Sequence, residues 1–289
     1  MSLKRLLLID GMAVVYRAFF AIRNISTSGG QPTNAVFGFV RMVRQLQSRW
    51  KPTHEAVIFD GGLPQRRMDL HAEYKAQRPD MPDDLRAQKP VVEEYLDAAG
   101  LCRAIVDSEE ADDVIASIVA RYRERFDEIL IATGDKDMFQ LVDGKVKVIP
   151  VAGKEDLLDT DGVRAKTGVE PQMVPDWLAL VGDASDNIPG VKGIGRKTAA
   201  KVLNEHGPLR QILAGNPGGE QEKVLSRILK DRDLVLKNLQ MVSLKDDLDC
   251  PFSPEEMEVT GGDNRALIDF CRKWEFDSIA RELEQGQLL

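Results

Sequence analysis

The chain has 289 residues, 43% hydrophobic and 30% charged, enough for a large core as one big domain or two moderate ones in a soluble globular protein. Its three cysteines and three histidines are scattered, which argues against a disulfide framework or a zinc site and for a reduced, cytoplasmic setting. The net charge of −8 argues against a nucleic-acid partner only if the acids are spread evenly, and they are not.

The first apolar run, Leu6, Leu7, Leu8 and Ile9, has the character of a buried strand and stops at Asp10-Gly11. It is too short for a signal peptide or a membrane helix. An amphipathic helix over residues 35–50 follows, with Val36, Val40, Val43 and Leu46 on its apolar stripe and Arg41, Arg44 and Arg49 mostly off it. A second strand, residues 56–59, runs into Asp60-Gly61. A third, residues 129–133, runs into Gly134, Asp135, Lys136 and Asp137, and residues 103–106 and 147–149 add two more. Strands alternating with helical patterns predict an α/β fold, a mostly parallel sheet flanked by helices. In such sheets ligands bind beyond the carboxyl ends of the strands, which is where these aspartates fall.

Ser108, a candidate N-cap, precedes Glu109, Glu110, Asp112 and Asp113 at the start of another predicted helix. A helix dipole accounts for one or two acids in a first turn, and four repel one another unless a cation sits among them. Asp183 and Asp186 complete a set of nine candidate ligands: Asp10, Asp60, Glu110, Asp112, Asp113, Asp135, Asp137, Asp183 and Asp186. All-oxygen ligation suits Mg²⁺ or Mn²⁺, and so many carboxylates exceed the needs of one ion. Two ions could clamp the attacking and leaving oxygens of a phosphodiester. With those nine set aside, 38 acids remain against 39 bases.

Residues 64–90 form a long, proline-punctuated basic connection carrying Arg66, Arg67, Tyr74, Lys75 and Arg78. It is expected to be a partly helical flap over the acidic edge, with Lys75 and Arg78 on one helical face. Past a short buried helix over residues 173–181, the stretch Gly190, Val191, Lys192, Gly193, Ile194 and Gly195 is expected to form a hairpin opening a basic helix with Arg196, Lys197 and Lys201. Helix, glycine hairpin and helix can hold a phosphate backbone on main-chain amides without reading sequence.

Taken in order, Leu8-Ile9-Asp10-Gly11, Phe59-Asp60, the run from Glu73 to Arg78, Glu110 to Asp113, Thr133 to Asp137 and the stretch from Gly182 to Ala199 resemble the 5′-nuclease superfamily. The resemblance is to the 5′-to-3′ exonuclease domain of bacterial DNA polymerase I and to flap endonucleases, and it spans nearly the whole chain. It implies a structure-selective nuclease, an exonuclease and flap endonuclease of replication and repair. Its partners would be DNA with 5′ flaps, nicks or free 5′ ends, RNA primers, and a polymerase in the same chain or in trans. By the same resemblance, Asp10, Asp60, Glu110 and Asp112, with Asp113 nearby, hold a first metal, and Asp135, Asp137, Asp183 and Asp186 a second. Lys75 and Arg78 engage the scissile phosphate. The hairpin around Gly190, Gly193 and Gly195 binds duplex and can hold K⁺. Met12 and Ala13 depart from residues common after the Asp-Gly, at positions not expected to be ligands. Two other classes share parts of the pattern, a non-catalytic binder of branched DNA and a PIN-type ribonuclease.

The expected layout is a PIN-like nuclease core over residues 1–170, with the arch at 64–90. A helical helix-hairpin-helix region over 171–289 would follow, with a loop at 214–219 and a last helix over 264–285 packing back on the core. The chain is expected to be a monomer.

Overall fold

The structure is a computed structural model and describes residues 3–152, 157–215, 222–261 and 264–286, with only the backbone of residue 222. Most of the loop expected at 214–219 lies outside the described residues.

Strands β1 (Arg5–Asp10), β2 (His54–Phe59), β3 (Cys102–Ile105), β4 (Glu128–Thr133) and β5 (Val146–Pro150) form one parallel sheet in the order β3-β2-β1-β4-β5. β1 lies at the centre, with Leu8 opposite Ala56 on one side and Ile131 on the other. Side chains alternate between the faces. Leu6, Leu8, Ala56, Ile58, Ile129 and Ile131 belong to one buried cluster; Leu7, Ile9, Val57, Phe59, Leu130 and Ala132 belong to another. Both faces are covered, which is why these strands read as continuous apolar runs.

The second face carries α1 (Gly11–Ala21), α2 (Asn34–Trp50) and α4 (Asp83–Ala99). α12 (Asn264–Lys273) returns to pack on α4, where the Tyr95 and Phe270 rings lie 5.7 Å apart, and α13 (Asp277–Glu284) packs on α12. One helix was expected there. Glu275, at φ 60°, breaks it into two.

On the first face, α5 (Ala111–Tyr122) packs beside the helical region: α6 (Thr160–Thr167), α7 (Val174–Val181), α8 (Arg196–His206), α9 (Leu209–Ala214), α10 (Glu222–Lys230) and α11 (Arg232–Val242). A single apolar cluster runs from Ile129 and Ile131 through Leu178 and Leu203 to Val235, so the helices are built onto the sheet.

The connection at 64–90 is more ordered than its prolines suggest. α3 (Gln65–Leu70) is followed by turns, and α4 begins at Asp83 and runs through Pro90. Lys75 and Arg78 therefore do not share a helical face; they lie among the turns, with Lys75 at φ 56°. An antiparallel ribbon not expected from sequence is also present. It joins β6 (Gly182–Asp183) to β7 (Ile188–Pro189), upstream of the glycine-rich stretch. Residues 190–195 form a turn, closed by Ile194 N–H donating to the Val191 carbonyl at 3.0 Å, with Gly193 at φ 82°.

Candidate metal centre and nucleic-acid face

Each acid is delivered by the end of an element. Asp10 closes β1 and caps α1, its Oδ1 accepting from Ala13 N–H at 3.0 Å and its Oδ2 from the Thr133 hydroxyl at 2.8 Å. Asp60 follows β2 and accepts from Ala111 N–H at 3.0 Å, which makes it the side-chain partner of the α5 N-terminus. Ser108 does not take that role, because the chain sits at φ 59° there and Glu110 is the capping residue. Asp135 follows β4, its Oδ1 accepting from Asp137 N–H at 2.8 Å. Asp183 and Asp186 flank the short turn inside the β6–β7 ribbon, and Asp183 accepts from Ser185 N–H at 3.0 Å.

Two groups result. Asp10, Asp60, Asp112 and Asp135 line one cleft of about 520 Å³ at the carboxyl edge of the sheet. Carboxylate oxygens of Asp137, Asp183 and Asp186 all lie within 4.8 Å of one another. Burial, helped by the charges of Asp60 and Asp135, pushes the Asp10 carboxyl up to about 6. Burial and then Asp135 hold Asp112 and Asp137 well above the usual carboxylate range. Asp135 is raised by burial, with Asp186 and Asp183 adding to it. Asp183 is the exception. Burial opposes its ionisation, but the Lys136 ammonium, 2.7 Å away, and Ser185 outweigh burial and hold it low. Asp137 Oδ1 is buried without a hydrogen-bond partner. A hard divalent cation is the species such oxygens accept.

The structure does not bring all nine acids together. Asp113 is fully buried and turned away, its oxygens taken by Arg66, Arg67 and the Lys245 N–H. Consecutive helical residues point about 100° apart, so Asp112 and Asp113 cannot both face the cleft. Glu110 is buried among cations, paired with Arg67 and Lys75 and accepting from the Tyr74 hydroxyl at 3.1 Å. That hydroxyl also lies 3.1 Å from Asp186 Oδ2.

Three residues expected on DNA are placed elsewhere. Arg67 and Tyr74 are each 3% exposed, and Arg66 is held on Asp113 at 2.6 Å. Sequence spacing could not separate them from Lys75 and Arg78, which do reach the acidic edge. Lys75 pairs with Glu110, and Arg78 with Asp186 at 2.6 Å. A backbone bond from Lys75 N–H to the Asp186 carbonyl and a bond from the Gln77 side-chain amide to the Ala184 carbonyl hold this segment on the 183–186 turn.

Beyond the turn, Lys192, Gly193, Gly195, Arg196, Lys197 and Lys201 are exposed, and Gly190 is half-buried. A side chain on Gly190 would meet the Val181 carbonyl oxygen at 2.1 Å, so glycine is required where the turn crosses the end of α7. Trp177 donates to the Arg196 carbonyl at 3.1 Å and fixes the start of α8. Two basic residues escaped the sequence reading. Lys136, between Asp135 and Asp137 in sequence, was given no role there, and its ammonium reaches Asp183 at 2.7 Å. Arg227, on α10, comes to the Gly193 turn only through tertiary packing, and an added Cβ there would lie 2.8 Å from its guanidinium.

Residues 5–168 match the family model for the 5′-3′ exonuclease N-terminal resolvase-like domain, and residues 169–265 match that for the 5′-3′ exonuclease C-terminal SAM fold. The chain belongs to the 5′-3′ exonuclease family. It is a 5′ nuclease of that family. It is 38% identical to a 5′-3′ exonuclease of Aquifex aeolicus, over 98% of this chain and 96% of that one. It is 37% identical to DNA polymerase I of Caldicellulosiruptor bescii over 99% of this chain, but spans only 34% of that relative's length. Two solved structures share the fold. A bacteriophage T5 flap endonuclease in a pseudo-enzyme-product complex with DNA and metal ions is 20% identical, with a TM-score of 0.69 over 98% of each chain. The catalytic core of Rad2 in complex with DNA substrate is 18% identical, with a TM-score of 0.66 over 97% of this chain and 92% of that one.

Proposed function

We propose that this family member is a structure-selective 5′ nuclease that hydrolyses DNA at 5′ flaps, nicks and free 5′ ends. The observation that carries the reading is the convergence of seven carboxylates, from separate segments, on one sheet edge beside an exposed basic turn. Asp10, Asp60, Asp112 and Asp135 would hold one divalent cation, and Asp137, Asp183 and Asp186 a second. An all-carboxylate set favours Mg²⁺, with Mn²⁺ able to replace it. Bound cations supply polarisation of water and stabilisation of the leaving oxygen in an in-line displacement.

The protein's own residues do the rest. Lys75 and Arg78, held at the cleft by Glu110 and Asp186, exchange those partners for the scissile phosphate. Glu110 and Tyr74 then serve to seat the arch rather than to hold metal. The turn at 190–195 with Arg196, Lys197 and Lys201 tracks the duplex backbone, its carbonyls offering a place for K⁺. The division into a nuclease core to about residue 170 and a helical DNA-binding region beyond it belongs to the same reading. So do tolerance of RNA primers, a monomeric state and action beside a polymerase, in the same chain or in trans. No helix among the described residues is long and apolar enough to cross a membrane, and the three cysteines are free, which supports a cytoplasmic setting.

The test is cleavage of a 5′-labelled flap duplex in Mg²⁺ and in chelator. Metal-dependent release of the flap, lost in Asp135→Ala, is expected. Full activity in chelator or in that variant would overturn the proposal. Tight flap binding in Ca²⁺ without cleavage in Mg²⁺ or Mn²⁺ would make the protein a branched-DNA binder instead.

A further inference from the structure

One short stretch of chain, residues 238–245, is bonded to every acid-bearing segment outside β1 and β2. Asn238, on α11, has no exposed surface, and its amide donates to the Ala179 carbonyl at 3.0 Å and the Pro189 carbonyl at 2.7 Å. Those two carbonyls lie on either side of the Asp183–Asp186 turn. Gln140 donates to the Asp137 carbonyl at 2.8 Å and to the Val242 carbonyl at 3.0 Å, while its own oxygen accepts from Leu244 N–H at 3.1 Å. The Met241 carbonyl accepts from Arg67 at 3.0 Å, and Lys245 N–H donates to Asp113 at 2.8 Å, which ties the start of α5 to the same stretch.

The amide chemistry is specific. Asn238 serves two carbonyls with two N–H donors, a task no carboxylate, hydroxyl or apolar side chain of its size performs. Its Oδ1 is left buried without a partner, a desolvation cost tolerated for the sake of the donors. Gln140 needs both ends of its amide at once. Neither residue reaches the cleft.

We infer that Gln140 and Asn238 are positioning residues that set the separation of Asp137 from Asp183 and Asp186, and so the affinity of the second cation. This rests on the two-cation reading above. Loss of either amide frees one turn to move relative to the other, so the Asp137, Asp183 and Asp186 site loosens while the first site, carried by the ends of β1, β2 and β4 and the start of α5, does not.

The experiment compares the full chain with Gln140→Leu, Gln140→Glu, Asn238→Leu and, as a control on the exposed side of α11, Gln240→Ala. Mn²⁺ binding is followed by calorimetry, flap binding in Ca²⁺ by anisotropy, and cleavage as a function of Mg²⁺. The expected result is weakening of one of two Mn²⁺ equivalents by about tenfold or more, with a matching rise in the Mg²⁺ needed for half-maximal cleavage and flap affinity nearly unchanged. Gln240→Ala should match the parent. If Asn238→Leu fails to fold, the half-exposed Gln140 variants carry the test alone. Parent-like Mn²⁺ and Mg²⁺ dependence in folded Gln140 variants would overturn the inference and leave the two-cation reading intact. Failure of the unmodified chain to bind two Mn²⁺ would overturn both.

Discussion

Asp10 shows how an acid can be costly to the fold and necessary to the site. Its folded carboxyl titrates at about 6 against an ordinary 3.8. The folded chain then holds a proton that the unfolded chain has already lost, and stability falls as pH rises through that window, by up to about 3 kcal/mol. A cation bound there would take the proton's place. Mg²⁺ should therefore raise the melting temperature more at pH 7.5 than at pH 5, and a scan in Mg²⁺ and in chelator checks it. Glu55 is the control. Burial pushes it up to about 7, its Oε2 has no partner, and it lies at the start of β2, away from the acidic edge. Glu55→Gln should stabilise the chain at pH 8 by about 1–3 kcal/mol in denaturant titrations, with Mg²⁺ dependence unchanged. Lys75→Ala should slow flap cleavage about 100-fold or more in single-turnover assays while changing flap affinity far less. The sequence made the strand-end aspartates legible, because an apolar run closed by Asp is a local signal. It could not tell Asp112 from Asp113, neighbours of like charge that differ only in which way the backbone turns them, or Arg67 from Lys75, like charges in one connection whose fates are set by tertiary packing.

Between elements, the close approach of α7 and the turn at 190–195 ties the acidic turn at 183–186 to the exposed basic turn. Gly182 sits at φ 76°, and a side chain there would meet the Gly190 nitrogen at 2.3 Å. Gly190→Ala should cost at least about 2 kcal/mol in urea unfolding and depress cleavage beyond that loss, because the Asp183–Asp186 turn lies between the two contacts. An insertion between Asn187 and Gly190 should shift the cleavage position or abolish cutting, as read on a sequencing gel. The five strands were visible in sequence because apolar runs and turn residues are local. The two-stranded ribbon at 182–189 had no sequence signal, because its pairing depends on how Gly182 meets Pro189 in space. The break at Glu275 carries no glycine or proline to announce it.

At the scale of the molecule, a net charge of −8 coexists with an exposed basic strip of Lys192, Arg196, Lys197 and Arg227. Flap affinity should fall steeply with salt, and Arg196→Ala with Lys197→Ala should reduce the slope of log affinity against log salt by about 2. The bond from Lys245 to Asp113 bears on something else, the order in which the protein becomes an enzyme. It joins residues 132 apart in sequence, and the bond from Asn238 to Ala179 closes another long loop. Such contacts form only after the intervening chain has been made and has paid its loop entropy. On the ribosome the sheet and its aspartates emerge well before residue 245. The bonds that draw the acid-bearing segments together therefore close only once residues 238–245 have been made.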